Sequence, residues 1–409
     1  MGFAKASVRD AEVAGRRVLL RADLNVPLDG GTVEDDTRIR AALPTIELLR
    51  EKGAAIVLCS HLGRPEGRDP ELSMAPVAER LGKLLEIEVR LAPDVVGDQV
   101  SEMAGELGGG ELLMLENTRF EAGETEDDPA LSEALAALAD TYVNDAFAAA
   151  HRAHASTEGV AHHLPAYAGL LLEREVRELT SVRDDPKPPL VVVLGGAKVT
   201  DKIGTIDRFL ATAERVLIGG AMCFSFFRAQ GVSTGDSLVE DEGVELARGV
   251  IERAAEPGAA ELSLPIDLVL GESFDAGTER RELDGIEVPD GWMGLDIGAT
   301  TSSRFADAIA EGGTVFWNGP MGAFELDPFA AGTLAVAEAI AEAPGRTVVG
   351  GGDSAAAMNK FGLAGGVDWL STGGGASLEL MEGRELPGVE ALLPANPATA
   401  DAKRSRSRA

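Results

Sequence analysis

The sequence predicts an α/β protein of two domains, each built on a parallel sheet flanked by helices. Its 409 residues suit two or three domains of about 150 residues each. Short apolar runs rich in Val, Ile and Leu alternate with longer amphipathic segments in two successive blocks. Continuous apolar runs are typical of parallel strands buried on both faces. Polar side chains gather directly after these runs, where an open parallel sheet binds its ligands.

The apolar runs predict the strands of both sheets. In the first block they are RVLLRADL (17–24), AAIVLCS (54–60), ELLMLEN (111–117) and TYVNDAF (141–147). In the second block they are PLVVVLGG (189–196), RVLIGG (215–220), IDLVLG (266–271), TVFWNG (314–319), RTVVGGG (346–352) and DWLSTGGG (368–375). Amphipathic segments between them, such as 37–53 and 330–343, predict the helices of βαβ units.

A charged segment over residues 170–189 divides the two blocks and predicts a helix that ends in a proline-containing turn. We therefore expect an N-terminal domain over 1–168, an interdomain helix and hinge over 169–188, and a C-terminal domain over 189–394. The basic tail, 395–409, has no apolar periodicity, and we expect it to be disordered. A solvated end is favoured there over an RNA-binding tail.

Composition excludes several classes of protein. With 37 basic and 68 acidic side chains the net charge is −31, which argues against binding to nucleic acid. No apolar stretch approaches the roughly 20 residues of a membrane span. The N-terminus lacks the apolar core of a signal peptide. The two cysteines, Cys59 and Cys223, cannot form a disulfide framework. We expect a cytoplasmic protein.

The acidity itself suggests an environment. Residues 1–402 carry a net −35, because the four basic side chains of 403–409 are left out. Such a chain repels itself at low salt, whereas molar salt shortens the Debye length to about 3 Å. A salty cytoplasm is the favoured explanation, and a high-GC genome with many Arg and Ala codons is the alternative.

Polar side chains follow each strand of the first block. They are Asp23 and Asn25, then His61 and Arg64, then Arg119, and finally Asp145, His151, Arg152 and His154. The arginines among them, with Arg38 and the three histidines, predict a basic basin at one edge of the sheet. Because guanidinium groups bind phosphate and carboxylate in bidentate fashion, we expect a small, multiply anionic substrate.

The second block has a different signature, made of glycine-rich turns. GGAKVTDK (195–202) places Lys198 and Lys202 four residues apart at a predicted helix start, where phosphate binds well. GGGDS (350–354) and STGGGAS (371–377) repeat the strand-then-glycine pattern, and Asp353 suits Mg²⁺. These turns predict a nucleotide site, although neither a P-loop nor a GxGxxG fingerprint is present.

Together these segments closely resemble the phosphoglycerate kinase family. The matching stretches run in the family's order over nearly the whole chain: RADLNVP (21–27), SHLGRP (60–65), LMLENTRF (113–120), NDAF (144–147) with HRAHAS (151–156), LGGAKVTDKIG (194–204), GWMGLDIG (291–298), WNGPMGAFE (317–325), GGGDSAAA (350–357) and STGGGASLE (371–379). The resemblance implies two Rossmann-like domains facing across a hinged cleft that must close for the reaction. It also implies a monomer that transfers a phosphoryl group reversibly, with Mg²⁺, from 1,3-bisphosphoglycerate to ADP, giving 3-phosphoglycerate and ATP in glycolysis and gluconeogenesis.

The resemblance also implies residue roles. The triose-binding residues would be Asp23, Asn25, Arg38, His61, Arg64, Arg119 and Arg152, and the catalytic residues Arg38 and Lys198. The nucleotide-binding residues would be Lys202, Gly219, Gly220, Ala221, Asn318, Glu325, Gly350, Gly351, Gly352, Asp353 and Ser354, with Asp353 as the metal ligand. The backbone of Gly351, Gly373 and Gly374 would bind the transition state.

Some positions depart from the family's usual pattern. Leu24 replaces a common Phe, Ala221 a common Gly and Ser354 a common Thr, and DIGATT (296–301) lacks the usual Pro-Lys. These changes affect the fine shape of the nucleotide pocket. Two other hypotheses stand beside the kinase: another two-domain kinase acting on a small phosphorylated carboxylic acid, and an idle relative that only binds. The presence of Arg38, Lys198 and Asp353 argues against the second.

Overall fold

A computed structural model describes residues 3–395, which form two compact units. The first comprises the chain up to Arg177 together with the segment from Glu385 onward, and the second is Glu178–Arg384. The segment 385–394, assigned by sequence to the second domain, thus groups with the first unit. The predicted disordered tail lies, apart from residue 395, outside the described residues. Within residues 3–395, no helix combines the length and apolarity needed to cross a bilayer.

The first unit is built on a parallel sheet. Its strands are β1 (Arg17–Arg21), β4 (Ala55–Cys59), β5 (Val89–Leu91), β6 (Leu112–Met114), β7 (Thr141–Asn144) and β8 (Ala166–Ala168), and a small hairpin joins β2 (Leu28–Asp29) and β3 (Thr32–Val33). The sheet order is β5-β6-β4-β1-β7-β8, with every neighbouring pair parallel. Strands β4 and β7 are buried along their whole length, as their continuous apolar runs predict.

Helices flank this sheet. They are α1 (Thr37–Glu51), α2 (Ala75–Leu85), α3 (Asp98–Gly105), α4 (Pro129–Ala136), the first part of α5 (Leu170–Asp184) and, after the second unit, α13 (Pro387–Glu390). The boundary between the units falls inside α5. The amphipathic pattern places Ile39, Ile46 and Leu49 of α1 in the core beside Ile56 and Leu58 of β4.

The C-terminal segment is tied to the first unit by hydrogen bonds that are remote in sequence. Asn144 Nδ2 donates to the Gly388 carbonyl at 3.0 Å, and the Leu393 N–H donates to the Ala166 carbonyl at 3.0 Å. These contacts explain why the segment from 385 groups with the first unit and not with the sequence block that precedes it.

The second unit contains a parallel sheet and a separate antiparallel one. The parallel strands are β9 (Leu190–Leu194), β10 (Arg215–Ile218), β11 (Glu261–Ser263), β15 (Thr314–Asn318), β16 (Arg346–Gly350) and β17 (Trp369–Leu370), in the order β11-β10-β9-β15-β16-β17. The antiparallel strands are β12 (Leu268–Gly271), β13 (Arg280–Leu283) and β14 (Met293–Ile297). Assigning 266–271 to the parallel series is therefore wrong, because β12 pairs on both sides with antiparallel neighbours.

The helices of the second unit connect these strands. They are α6 (Ile203–Thr212), α7 (Cys223–Ala229), α8 (Asp241–Ala254), α9 (Ala299–Ala310), α10 (Ala331–Glu342), α11 (Gly352–Lys360) and α12 (Gly375–Glu382). Helices α9 and α10 contribute Phe305, Ile309, Val336 and Ile340 to one core with Val193 of β9. The α/β fold with two parallel sheets is confirmed.

Candidate functional site

The carboxyl ends of three central strands of the first unit lie side by side. The pairing register matches Arg21 of β1 with Cys59 of β4 and with Asn144 of β7. The segments that follow these three residues therefore leave the sheet at one level and share one edge. All the strand-end side chains predicted for β1, β4 and β7 belong to these segments.

The loop after β1 is fixed by the loop after β4. Asn25 Oδ1 accepts a hydrogen bond from the Gly63 N–H at 2.8 Å, and the Leu24 N–H donates to Ser60 Oγ at 2.9 Å. Asp23 is buried and pairs with the Arg38 guanidinium, which the first turn of α1 supplies. Two predicted substrate ligands, Asp23 and Arg38, are thus brought together by the fold.

Guanidinium groups crowd the same edge. Arg119 donates to the Gly63 carbonyl at 2.5 Å, whereas Arg64 and Arg152 are exposed. Burial lowers the pKa of Arg119, and the nearby charges of Arg152, Arg21 and Arg64 lower that pKa further. The predicted convergence of arginines therefore holds in the structure, and the cluster attracts a ligand with several negative charges.

Two of the three histidines, His61 and His154, lie where protonation is disfavoured. Burial, then Arg21, Arg119, Arg38 and His154 hold the pKa of His61 well below its ordinary value. Burial also lowers the pKa of His154, although Glu124 opposes that shift. Burial and neighbouring cations favour the neutral form of an imidazole over the charged form.

Arg21 is a site residue that the sequence analysis missed. It is 1% exposed and ends β1, where its side chain turns toward the loops. Its Nε donates to Ser156 Oγ at 2.9 Å, and one terminal nitrogen lies 3.0 Å from His61 Nδ1. A charged residue at the last position of an otherwise apolar run was the available signal.

Asp145 follows β7 but serves the fold. It is fully buried, and its Oδ1 accepts from the N–H groups of Leu171 and Leu172 at 2.9 and 3.2 Å, at the start of α5. Its Oδ2 makes no hydrogen bond of normal geometry. Burial raises the pKa of Asp145 to about 7, although the nearby Thr45 hydroxyl and the two N–H groups oppose that shift. The expectation that Asp145 points into the ligand crevice is corrected, since this carboxyl group anchors a helix.

The strand ends of the second unit pack backbone against backbone. A Cβ on Gly220, whose φ is +66°, would lie 2.4 Å from the Gly196 nitrogen. A Cβ on Gly195 would lie 2.1 Å from the Pro320 carbonyl oxygen, and one on Gly319 would lie 2.3 Å from the Gly195 oxygen. These glycines are required by the close approach of three loops, and Gly219 is similarly restricted by the Met321 sulfur at 2.5 Å.

Lys202 and Asn318 form a buried pair at this edge. The ammonium group of Lys202 donates to Asn318 Oδ1, and Asn318 Nδ2 donates to the Gly350 carbonyl at 3.0 Å. Burial lowers the pKa of Lys202 to about 8, while the charges of Asp353 and Asp201 oppose the shift. The pair therefore links the start of α6 to the end of β16, just before α11.

Lys198 lies outside any helix, because α6 begins only at Ile203. The prediction that both lysines lie at a helix start is therefore wrong for Lys198, whereas Lys202 directly precedes the helix. Lys198 is exposed, whereas Lys202 is buried. The two lysines thus present different chemistry, one a solvated cation and the other a cation held inside the protein.

Helix α11 begins in the predicted phosphate loop. Gly351 has φ +97°, and a Cβ there would lie 2.8 Å from Asn318 Nδ2. Asp353 is exposed in the first turn, while the buried Ser354 uses its Oγ to accept from the Gly319 N–H at 2.6 Å. Gly352 is exposed, and a Cβ added to it would have no atom within 4 Å. A ligand could therefore approach the backbone of Gly352.

The remaining predicted residues are more scattered in the second unit. Ala221 precedes α7, and Glu325 is exposed after the buried Phe324. The Gly373 N–H donates to Ser371 Oγ at 3.2 Å, and Gly374 directly precedes α12. Within the part of the chain that the structure describes, no group of three or more His, Cys, Asp or Glu side chains could hold a metal ion.

One unit thus offers a cluster of guanidinium groups, and the other offers glycine-rich strand ends, a helix N-terminus and two lysines. These are the features of an α/β enzyme that handles phosphorylated small molecules. A family model described as "Phosphoglycerate kinase" matches residues 8–384. Phosphoglycerate kinases from Rubrobacter xylanophilus and Moorella thermoacetica are 53% and 52% identical over 391 residues, covering 95% of this chain and 98% and 99% of theirs.

Solved structures agree. The phosphoglycerate kinase of Coxiella burnetii aligns with a TM-score of 0.84 at 38% identity, and that of Pyrococcus horikoshii with 0.83 at 34%. Each alignment covers 95% of this chain and 98% of the other chain. The chain belongs to the phosphoglycerate kinase family, and it is a glycolytic kinase that uses ATP and ADP.

Proposed function

We propose that the first unit binds the triose, 3-phosphoglycerate or 1,3-bisphosphoglycerate. The observation that carries this proposal is the gathering of guanidinium groups at one sheet edge of an acidic protein, where Arg119 donates to the Gly63 carbonyl and lies near Arg152, Arg21 and Arg64. In this assignment Arg64, Arg119 and Arg152 hold the phosphate that is not transferred. Asp23 and Asn25 contact the carboxyl and hydroxyl end, with His61 beside them.

The second unit binds the nucleotide in this proposal. Lys202 and the backbone of Gly350–Ser354 hold phosphates at the start of α11, where free N–H groups favour anions. Gly219, Gly220 and Ala221 line the base, Glu325 contacts the ribose, and Asn318 fixes Lys202. Mg²⁺ supplies charge neutralisation when bound with the nucleotide. The exposed carboxylate of Asp353 suits it, since Mg²⁺ is held by one or two carboxylates plus phosphate oxygens.

Catalysis then rests on positioning and on charge, because phosphoryl transfer needs little covalent chemistry from the protein. Arg38 and Lys198 stabilise the negative charge that develops on the transferring group. The N–H groups of Gly351 and Gly374 donate to its oxygens, and the Gly373 N–H joins them by exchanging Ser371 Oγ for the ligand. Preorganised donors of this kind act most strongly where water is excluded.

The cellular setting completes the proposal. The enzyme works as a cytoplasmic monomer in glycolysis and gluconeogenesis, without nucleic-acid or membrane partners. Its net charge of −31 supports an origin in a salty cytoplasm, where screening relieves self-repulsion. The basic residues after 402 stand apart from this acidic surface.

A coupled assay tests the reaction directly. ATP formation is measured from ADP and 1,3-bisphosphoglycerate, and the reverse reaction is measured with ATP and 3-phosphoglycerate. We expect turnover in both directions and a strong preference for 3-phosphoglycerate over other phosphorylated carboxylic acids. Absence of ATP formation would overturn the proposed reaction. Equal turnover with another phosphorylated carboxylic acid would show that 3-phosphoglycerate is not the specific substrate.

A further inference from the structure

We propose that Arg21 is a positioning residue of the triose site: it fixes the His61 imidazole as the neutral tautomer with its proton on Nε2, and this N–H is offered to the substrate. The inference rests on the proposed function, because only that proposal assigns His61 to the triose. It changes His61 from a cationic contact into a neutral hydrogen-bond donor and gives the buried Arg21 a role in the reaction.

The geometry around Arg21 carries the argument. All three guanidinium nitrogens are engaged: Nε with Ser156 Oγ at 2.9 Å, one terminal nitrogen with the Ala22 carbonyl, and the other with His61 Nδ1 at 3.0 Å. A guanidinium group only donates and does not lose its proton in proteins. His61 Nδ1 must therefore be the acceptor.

The state of the His61 ring follows from that contact. A neutral imidazole carries one proton, so with Nδ1 accepting, the proton resides on Nε2. Double protonation would set an N–H of His61 against an N–H of Arg21 and bring two positive charges together. Among the described residues, no protein group hydrogen-bonds His61 Nε2. The ring thus keeps one donor free for a ligand oxygen.

The surrounding charges reinforce the neutral state. Burial, then Arg21, Arg119, Arg38 and His154 all lower the pKa of His61. Each of these groups lies on a different segment of the site. If the His61 imidazole titrated, the charge of the ligand pocket would change with pH. A neutral imidazole that only donates a hydrogen bond keeps that charge constant.

The buried carboxylate of Glu124 offsets the free-energy cost of burying the Arg21 guanidinium group. Glu124 is 1% exposed and accepts from Ser156 Oγ at 2.6 Å and from the Ser156 N–H at 3.0 Å. Ser156 therefore bridges the carboxylate and the guanidinium group. The hydrogen bonds from Arg21 to Ser156 and from Ser156 to Glu124 hold the guanidinium group in one position. A guanidinium group fixed in this way can orient the neighbouring His61 ring.

The first experiment examines the wild-type protein without substrate. Long-range ¹H–¹⁵N spectra of the histidine rings are recorded from pH 8 to about 5, a range that brackets the ordinary value of about 6.5. A His61→Gln variant identifies the His61 signals. We expect the Nε2-protonated pattern throughout the range. A proton on Nδ1, or titration near the ordinary value, overturns the inference.

The second experiment tests the role of Arg21. Arg21→Met removes the donor, Arg21→Lys retains a charged donor, and Arg17→Met on the same strand is the control. We expect Arg21→Met to mix the tautomers of His61 and to raise the KM for 3-phosphoglycerate about 10- to 100-fold, as for a lost hydrogen bond to a charged group. The value of kcat should change far less, and Arg21→Lys should recover part of the loss.

The two experiments separate the inference from the proposed function. The protonation and tautomer of His61 are measured in the substrate-free protein, so this result does not depend on catalytic activity. If Arg21→Met does not fold, the wild-type spectra still decide the tautomer. If ATP forms normally while His61 carries its proton on Nδ1, the inference about Arg21 is overturned and the proposed function still holds. An unchanged KM in a folded Arg21→Met variant also overturns the inference.

Discussion

The two units build candidate anion sites from different parts of the chain. In the first unit the donors are side chains, namely a set of arginines held by buried acceptors such as Asp23 and Ser156. In the second unit much of the site is backbone, formed where Gly195, Gly220 and Gly319 allow three loops to touch. The first site therefore depends on charge, and the second depends on the absence of side chains.

This difference sets what each site tolerates. An exposed guanidinium group, such as that of Arg64 or Arg152, can be removed without moving the backbone that carries it, so its substitution should affect activity much more than stability. A side chain added at a crowded glycine must displace backbone, so substitutions in the second unit should affect both together. The expected effects below begin with the largest.

Arg38→Ala should reduce kcat about 100- to 1,000-fold, the usual cost of one preorganised donor to developing charge. It should also lower stability, because the buried Asp23 carboxylate loses its partner. Steady-state kinetics and thermal melts measure the two effects. Arg40→Ala is the matched control, because Arg40 is exposed on the same helix and pairs with Asp36. A raised KM with normal kcat would place Arg38 among residues that bind the ground state.

Gly220→Ala should destabilise the second unit by about 3 kcal/mol, since a left-handed φ and a backbone clash add together. Gly231→Ala separates the two causes. Its φ is +80°, but a Cβ there meets nothing within 4 Å, so we expect a loss of only about 1 kcal/mol. Urea unfolding gives both values. Equal losses would show that the close approach of the loops contributes nothing.

Asp353→Ala should weaken use of the Mg-nucleotide about 10- to 100-fold and spare 3-phosphoglycerate binding, as expected when one ionic contact is lost. It should also lower the pKa of Lys202 below about 8, because the Asp353 charge opposes the effect of burial. The alkaline limb of the rate profile then moves to lower pH. Asp307→Ala, an exposed acid of the same unit, is the control. Calorimetry that finds equal loss of both ligands contradicts the division between units.

Buried carboxyl groups give a closer comparison of the units. Burial raises the pKa of Asp145 in the first unit and Asp296 in the second to about 7. Each native carboxyl therefore keeps its proton at pH values where the unfolded chain has lost it. The native state binds more protons between about pH 4 and 7, and stability falls as pH rises through that window.

The two carboxyl groups differ in their partners. Both oxygens of Asp296 accept N–H groups, from Ile297 at 2.9 Å and Gly332 at 2.7 Å, whereas Oδ2 of Asp145 has none. Asp145→Asn should thus remove the penalty and gain about 1–2 kcal/mol at pH 8. Asp296→Asn should lose a similar amount, because an amide N–H₂ would face an N–H donor. Denaturant titrations at pH 5 and 8 distinguish the cases, and a gain for both variants refutes the partner argument.

The parts of the fold that sequence could predict share one property. Central strands such as β4 and β9 are uninterrupted apolar runs, and buried strands need nothing else to be recognised. The edge strands β5, β8 and β11 have only three residues each, too few for a pattern. The run 266–271 was misplaced because burial on both faces does not distinguish a parallel partner from an antiparallel one.

The site shows the same limit. Exposed or strand-end charges such as Arg64 and Arg119 were visible in the sequence. Arg21 was hidden within an apolar run, because its role depends on Ser156 and His61, both remote in sequence. The packing of Gly220 against Gly196 was equally invisible, since the contact joins loops that follow different strands.

Salt should have the smallest effect, and its sign should differ between stability and the two ligands. With a net −35 over residues 1–402, screening favours the compact state, so the melting temperature should rise by several degrees from about 0.1 to 3 M KCl, as the Debye length falls from about 10 Å to below 3 Å. Binding of 3-phosphoglycerate by exposed arginines such as Arg64 and Arg152 is charge-driven and should weaken over the same range. Nucleotide binding relies more on backbone N–H groups, so the KM for the nucleotide should rise less.

A flat or falling melting temperature would favour codon bias as the source of the acidity. Equal salt dependence of both KM values would erase the distinction between a site made of cations and a site made of backbone.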